Sequence, residues 1–336
     1  MSLLNGVDLE GLHELGREFR QEPWEAQLGL GVEATPDGPD RCLISTGPVR
    51  LGTTRAARPF VFPHGTGSPA AAGLRDPLAS VLAALGAGVA SEVATALTGH
   101  RVSPSRLEVR TQAQLPTGGG TLDPRSDLTV EVRIDGDVDE ETALQCVAAA
   151  RTRSTVLRTL EEANEIRAVL VAEENRYLTD RPHEYRADTE KPGGARRSAS
   201  AVWESGLLVV AEVDGVTVQT DQPKQLFGGD RAPSPEEHLL AALAAEALGH
   251  ATRPGGSDHG ASIHASARLD LRGPDSSEGV PVGLGSLLVQ FLPGVGADVR
   301  AEAVDAWLTD GDVLRLVRDN HPVKVRLVLN GDSVGV

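Results

Sequence analysis

Two stretches of this chain are built almost wholly from Ala, Leu and Val, with small residues on nearly every face. The first follows Asp76-Pro77-Leu78 and runs to Leu97. The second follows Ser234-Pro235-Glu236-Glu237 and runs from His238 to Thr252. Each has a helix-starting residue and then Pro in the first turn, where a missing N–H costs nothing. A helix that is apolar all round cannot lie on a surface. Both helices are therefore expected to be buried on every side and packed against each other. Matching Pro77 to Pro235 also aligns Leu82 with Leu240, Ala83-Ala84-Leu85 with Ala241-Ala242-Leu243, and Ala87 with Ala245.

The repeat extends beyond the helices. Alternating strand patterns follow at Leu107-Val109-Thr111 and Leu128-Val130-Val132. Their counterparts are Ile263-Ala265-Ala267-Leu269 and Leu287-Leu288-Val289-Phe291. Acidic helix starts come next, at Asp139-Glu140-Glu141 and over Asp298 to Glu302. Each half then closes with a short amphipathic turn and a strand, from Ser154 to Val169 and from Gly311 to Leu329. The second half opens with a hairpin: a run from Ala201 to Val213, the turn Asp214-Gly215, and Val216 to Thr220. The polar stretch around Arg181-Pro182 and Lys191-Pro192-Gly193-Gly194 reads as a linker or long surface crossing. The expected layout is an N-terminal helical extension over 1–23, a first domain over 24–172, a linker over 173–199 and a second domain over 200–336.

Composition narrows the function. Acidic residues number 48 against 32 basic ones, a net charge of -16. That charge repels phosphate backbones, so nucleic acid is not an expected partner. The chain is expected to hold no apolar run of about 18 residues, and so no membrane span. The first twenty residues are amphipathic and acidic, unlike a secretory signal. The cytoplasm is the expected location. Two cysteines, Cys42 and Cys146, exclude a disulfide scaffold and a Cys-based zinc site.

The second half resembles the OsmC / organic hydroperoxide resistance (Ohr) family. The resemblance rests on Ala201-Val202-Trp203-Glu204-Ser205-Gly206, on Val213-Asp214-Gly215, and above all on the run from Gly228-Gly229-Asp230 through Pro235-Glu236-Glu237-His238-Leu239-Leu240 to Ala245. It covers roughly 198–336, and more weakly 24–172. It implies an α+β fold in which two OsmC-like domains form an intramolecular pseudo-dimer, with curved antiparallel sheets around a central helix pair. It also implies thiol-dependent peroxide reduction, using one Cys on the central helix and another in a Cys-Pro-Val turn. The matching central-helix positions here are Glu246 and Gly88. The turn positions are Gly311-Asp312-Val313 and Ser154-Thr155-Val156. With all four thiols gone, the sulfur nucleophile such chemistry needs is absent, so no peroxidase activity is expected. A family glutamate that holds an arginine falls at Glu236, and at Leu78 in the first half.

Glu246 is the residue that asks for an explanation. It sits mid-helix among Ala and Leu, where a carboxylate needs a partner or a job. His250 lies one turn on, and the turn match brings Asp312 near. Crowded carboxylates raise one pKa and yield an acid and a base. One expectation is therefore acid–base chemistry (cyclisation, isomerisation, elimination or hydrolysis) on a small apolar organic molecule. Glu246 would be base or acid, Asp312 its partner and His250 the orienting group, with Gly88, Ser154, Glu236 and His238 lining the pocket. Three alternatives stay open: a structural pairing of Glu246 with His250 or Arg253, a metal site from Glu246, His250 and Asp312, and a non-catalytic ligand-binding or scaffold protein. No motif calls for a cofactor.

The remaining motifs are weaker. His238 in a first helical turn is expected to face solvent or the loop. Ser257-Asp258-His259 are adjacent and cannot form a triad. Gly29-Leu30-Gly31 and Gly118-Gly119-Gly120 read as turn glycines without the context of a nucleotide site. His64-Gly65-Thr66-Gly67 reads as a flexible loop able to cover the first-half pocket. Cys42, in a strand pattern, and Cys146, in a helix pattern, read as ordinary buried cysteines.

Overall fold

A computed structural model describes residues 3–67, 70–71, 73–114, 128–171, 176–180, 196–252, 260–273, 279–294, 299 and 301–335. In the first half, α1 (Leu9–Gln21) precedes β1 (Gln27–Pro36), β2 (Arg41–Thr46), β3 (Val49–Leu51), β4 (Thr54–Ala56) and β5 (Val61–Gly65). The first Ala-rich helix is α2 (Pro77–Gly99). After it come β6 (Arg106–Gln114), β7 (Leu128–Asp135), α3 (Glu140–Arg153), α4 (Thr155–Glu161), β8 (Ile166–Leu170) and β9 (Arg176–Asp180). The second half gives β10 (Arg196–Ser205), β11 (Leu208–Val213), β12 (Val216–Thr220), α5 (Pro235–Ala251), β13 (Ser262–Asp270) and β14 (Gly285–Leu292). It ends with α6 (Ala301–Asp310), α7 (Asp312–Arg318), β15 (Val323–Leu329) and β16 (Asp332–Val334).

The strands form two mixed sheets. One has the order β4-β3-β1-β13-β14-β8-β9, with β2 and β5 attached through β1. The other has the order β12-β11-β10-β6-β7-β15-β16. In each sheet two strands of one half are inserted between strands of the other. β1 pairs antiparallel with β13, and β10 pairs antiparallel with β6. The same exchange recurs in the parallel pairs β14–β8 and β7–β15. Neither half can complete a sheet without the other.

The Ala-rich helices occupy the space between the sheets. α2 packs on β10, β6 and β11, while α5 packs on β1 and β13, and the two helices lie against each other. From Pro77 to Ala90 every α2 side chain is buried, as small side chains all round require. The close approach is sharpest at Gly86, where a Cβ would stand 3.1 Å from that of Ala201 and 3.3 Å from Thr111. One continuous core joins helices and sheets across both halves. β7 shows the matching alternation of buried and half-buried residues along its length.

Several local expectations change. Gly29 and Gly31 lie inside β1, not in a turn. The Gly31 carbonyl accepts from Gly47 N at 2.7 Å, and a Cβ there would crowd His264. The run from Ala201 to Val213 is two strands, because Gly206 takes a positive φ and turns the chain between them. Asp214 and Gly215 then both have positive φ, the geometry their sequence predicts for a tight hairpin. Strand reaches into both ends of the expected linker, since β9 pairs with β8 and Arg196 to Ser198 pair with β6. His64 and Gly65 belong to β5, and His64 is fully buried. By length and composition α2 could cross a membrane, contrary to the expectation of no such run, but it is buried inside the fold. Gly118-Gly119-Gly120, Arg253, Ser257-Asp258-His259, Asp298 and most of the expected linker lie outside the described residues.

The strand exchange predicts how the halves behave apart. Residues 1–187 and 188–336, produced as separate polypeptides in one cell, should purify as a one-to-one complex. Either produced alone should aggregate, because each leaves unpaired strand edges and one bare helix face. Two independently folded monomers in size-exclusion chromatography would contradict the interlocked arrangement.

Candidate functional site

The N-terminus of α7 starts at Gly311, which has no side chain to cap it. Glu246 reaches in from α5 to do so. Its Oε1 accepts from Val313 N at 2.7 Å, and its Oε2 accepts from Leu314 N at 3.0 Å and from Trp307 Nε1 at 3.1 Å. A carboxylate here meets two of the orphan amides and the positive end of the helix. Trp307 is itself buried and packs edge-on against Phe291.

The first half solves the same problem with other residues. Ser154 caps α4, its Oγ accepting from Leu157 N at 3.5 Å. Gly88 faces it, where an added Cβ would lie 3.2 Å from the Ser154 Oγ. In the second half a Cβ on Gly311 would lie 2.8 Å from Glu246 Oε2. The pairs Gly88/Ser154 and Glu246/Gly311 are therefore reciprocal. One member carries the capping oxygen and the other is a glycine that leaves room for it.

Burial pushes the Glu246 carboxyl up to about 7. The three N–H donors pull it back down, and the charge of Asp312 pushes it further up. Asp312 is half-buried at the first residue of α7, so the structure does bring it near Glu246. His250 is buried one turn along α5. Glu236 is buried and accepts from Gln222 Nε2 at 3.3 Å. His238 is not at the surface. It is buried, its Nε2 donates to the Gln219 carbonyl at 3.0 Å, and its ring lies 5.3 Å from that of Phe62. The strands wrapped over the helix start enclose a residue that position alone assigns to solvent. Cys42 and Cys146 are both free and buried, and desolvation pushes their thiols up to about 12 and about 11.

A second polar cluster surrounds the starts of α2 and α5, with partners drawn from both halves of the chain. Arg58, between β4 and β5, is fully buried. Its Nε meets Asp230 at 2.5 Å, its Nη1 meets Glu237 at 2.6 Å, and its Nη2 donates to the Ala232 carbonyl at 2.7 Å. Glu237 also closes a capping box with Ser234. At the other helix start, Arg197 from β10 bonds Asp76, the N-cap of α2, at 2.6 Å and also Asp214. Close by, His64 Nδ1–H donates to the Gly65 carbonyl at 2.6 Å, and its Nε2 takes the Ser80 hydroxyl at 2.7 Å. Burial and the charge of Arg75 pull His64 down to about 3, so it is neutral. The sequence marks Asp230, Glu237 and His64 but gives no sign that Arg58 and Arg197 meet the helix starts.

Among the described residues no group of three or more His, Cys, Asp or Glu side chains is placed to hold a metal. No known protein-family profile and no curated protein matches the chain.

Two predictions follow from the reciprocal caps. Glu246→Leu would strand three buried donors at about 1–3 kcal/mol each. Ser154→Ala would lose one ordinary cap at about 1 kcal/mol. Urea unfolding should therefore show the Glu246 variant as the weaker by at least about 2 kcal/mol, and the reverse order would reject the capping assignment. The pH dependence has a definite sign. Raised from 4.5 to about 7, folded Glu246 holds a proton that the unfolded chain releases. Its contribution is complete below the unfolded value and is lost as pH rises to about 7. The stability cost of Glu246→Gln should thus be larger at pH 5 than at pH 8, narrowing by up to roughly 1.4 kcal/mol per pH unit. A cost that grows with pH would show a carboxyl held ionised.

Proposed function

We propose that the chain is a cysteine-depleted relative of the OsmC / Ohr proteins, with two such domains fused as an intramolecular pseudo-dimer, and that it works as a small-ligand-binding or scaffold protein and not as a thiol peroxidase. The pseudo-dimer reading is supported by the strands the halves exchange and by the paired central helices between the sheets. It is supported again by the recurrence of each element in order.

The observation that carries the binding reading is the use of Glu246. Both oxygens of the residue at the former thiol position are engaged by Val313, Leu314 and Trp307. A group held this way closes a helix end and is poorly placed to attack or deprotonate a ligand. The remaining sulfurs are buried and protonated at neutral pH, and a thiol reacts as its thiolate. The proposed partner is a small organic molecule. Net negative charge argues against nucleic acid.

A second reading has one observation in its favour. A carboxyl poised at about 7 beside Asp312 has the acidity a general acid or base uses. On that reading Glu246, Asp312 and His250 would move protons on a small apolar substrate.

Peroxide consumption and stability separate these readings. With a dithiol reductant and cumene hydroperoxide, the protein should consume peroxide no faster than buffer. Consumption abolished by Cys146→Ser or Cys42→Ser would overturn the proposal. The thermal midpoint of Glu246→Leu should fall. A rise of several degrees would mark Glu246 as a strained group kept for chemistry, and the acid–base reading would replace the binding one.

A further inference from the structure

We propose that the outer face of the first sheet carries a shelf for the phosphoryl groups of a small soluble molecule, with Gly29 as its floor and Arg50, Arg55 and Arg268 as its cations. This goes beyond the binding reading above. The shelf lies on the outside of the fold and Glu246 in its core, so either can fail without the other.

Strand register brings the three arginines into one row. Gly29 of β1 stands opposite Arg50 of β3 on one side and opposite Arg268 of β13 on the other. Arg50 in turn stands opposite Arg55 of β4. Residues directly opposite one another share a face of the sheet. Here it is the outer face, because the alternate residues Leu28, Leu30 and Leu269 are buried in the core. All three arginines are exposed. With strands about 4.8 Å apart, Arg50 and Arg268 stand roughly 10 Å apart across Gly29, and Arg55 one spacing further. Side chains as long as arginine can close on one small ligand over that span. Among the described residues none of the three has a carboxylate partner. Asp270, on the same face of β13, is closed by Arg272 and Gln27.

Neither the charges nor the glycine serve the fold. Like charges directly opposite one another destabilise a sheet. A charge on the edge strand β4 guards against pairing with another chain, but Arg50 and Arg268 lie further in. Glycine inside a strand weakens it, and it marks bulges or places where a ligand or another backbone comes close. At Gly31 the backbone is the reason, since Gly47 donates to its carbonyl and His264 crowds the space. At Gly29 a Cβ would stand 3.5 Å from that of Arg50, an ordinary contact. Gly285 follows Arg268 in the same row, and a Cβ there would meet only the Arg268 carbonyl at 3.8 Å. A chain of net charge -16 thus keeps three unneutralised cations in line, with bare backbone on both sides of Arg268. The planar fork of arginine takes phosphoryl oxygens two at a time. Three forks in a row suit two linked phosphoryl groups better than one.

Pyrophosphate and inorganic phosphate serve as probes, titrated calorimetrically into the whole protein at neutral pH and constant ionic strength. Pyrophosphate should bind one per chain, at least about ten-fold more tightly than phosphate, and Arg268→Gln should weaken it by about the same factor. Arg106→Gln removes an exposed cation from the other sheet and should change nothing. Gly29→Thr should raise the thermal midpoint, as a strand former replacing glycine does, and still weaken pyrophosphate binding. A lower midpoint for that variant would show a glycine kept for the fold and overturn its role as floor. No binding of pyrophosphate, undiminished binding to Arg268→Gln, or an equal loss in Arg106→Gln would overturn the shelf. Sedimentation with phosphatidic acid vesicles in the absence of pyrophosphate binding would put the phosphoryl group on a lipid and overturn the soluble ligand.

Discussion

Two helices with no polar face must be enclosed, and the fold answers that requirement. Burying Leu, Val and Ala on every side of α2 and α5 takes a sheet behind each helix and the other helix in front. A single half has too few strands to cover its own helix. β6 reaches only part of α2, and β10 and β11 of the other half complete the cover. Strand exchange is the consequence, and so is the absence of separate cores. Small side chains let the helices and sheets approach to the distance seen at Gly86, at the expense of the large apolar surface that bulky residues would bury. Aromatics are accordingly few, and Trp307 and Phe291 pack edge-on against each other.

That enclosure also buries the ends of the helices, and the charge distribution follows from it. The starts of α2 and α5 hold Asp76 and Glu237 in apolar surroundings, and each is met by an arginine from a strand region of the opposite half. Burial pushes Glu237 up to about 7 despite Arg58, as it does Glu246. It pulls His64 and His238 down. These effects oppose one another. Between about 4.5 and about 6.5 the raised carboxyls make the folded chain hold extra protons, while the depressed imidazoles make it hold fewer. With two groups of each kind the slopes largely cancel. A protein with strongly shifted buried groups can thus show a nearly flat stability profile, and single substitutions expose the hidden dependence.

The sequence was most informative where one physical signal dominated. The all-round apolar helices, the capping residues Asp76, Asp139 and Ser234, and the Asp214-Gly215 turn all stand where periodicity and turn chemistry place them. The mixed α+β class was legible for the same reason. Strand pairing across halves was not, because partners such as Gly31 and Ser266 are set by enclosure and carry no mark of it. The candidate site divides in the same way. An isolated Glu246 in an Ala-rich helix announced a buried carboxylate, but its partners are two backbone amides and an indole, which sequence cannot point to. The burial of His238 was hidden for a related reason. Its ring meets Phe62, from β5 in the other half of the chain.

The reciprocal caps depend on the repeat being carried by one chain. Two identical subunits would have to place the same residue at both helix crossings and both turns. A pair with Glu at the helix and Ser at the turn would set a carboxylate and a hydroxyl into the space that one glycine opens, and Gly at both would leave the helix end uncapped. Within a single chain each crossing can choose separately. Gly88 with Ser154 and Glu246 with Gly311 are the two non-clashing solutions, one in each half. The second solution satisfies three donors where the first satisfies one, and it fixes α6, α7 and α5 together through Trp307. It therefore buries a carboxylate at a position where the repeat alone would accept a serine. The physical reason for Glu246 lies in that exchange of cap for space.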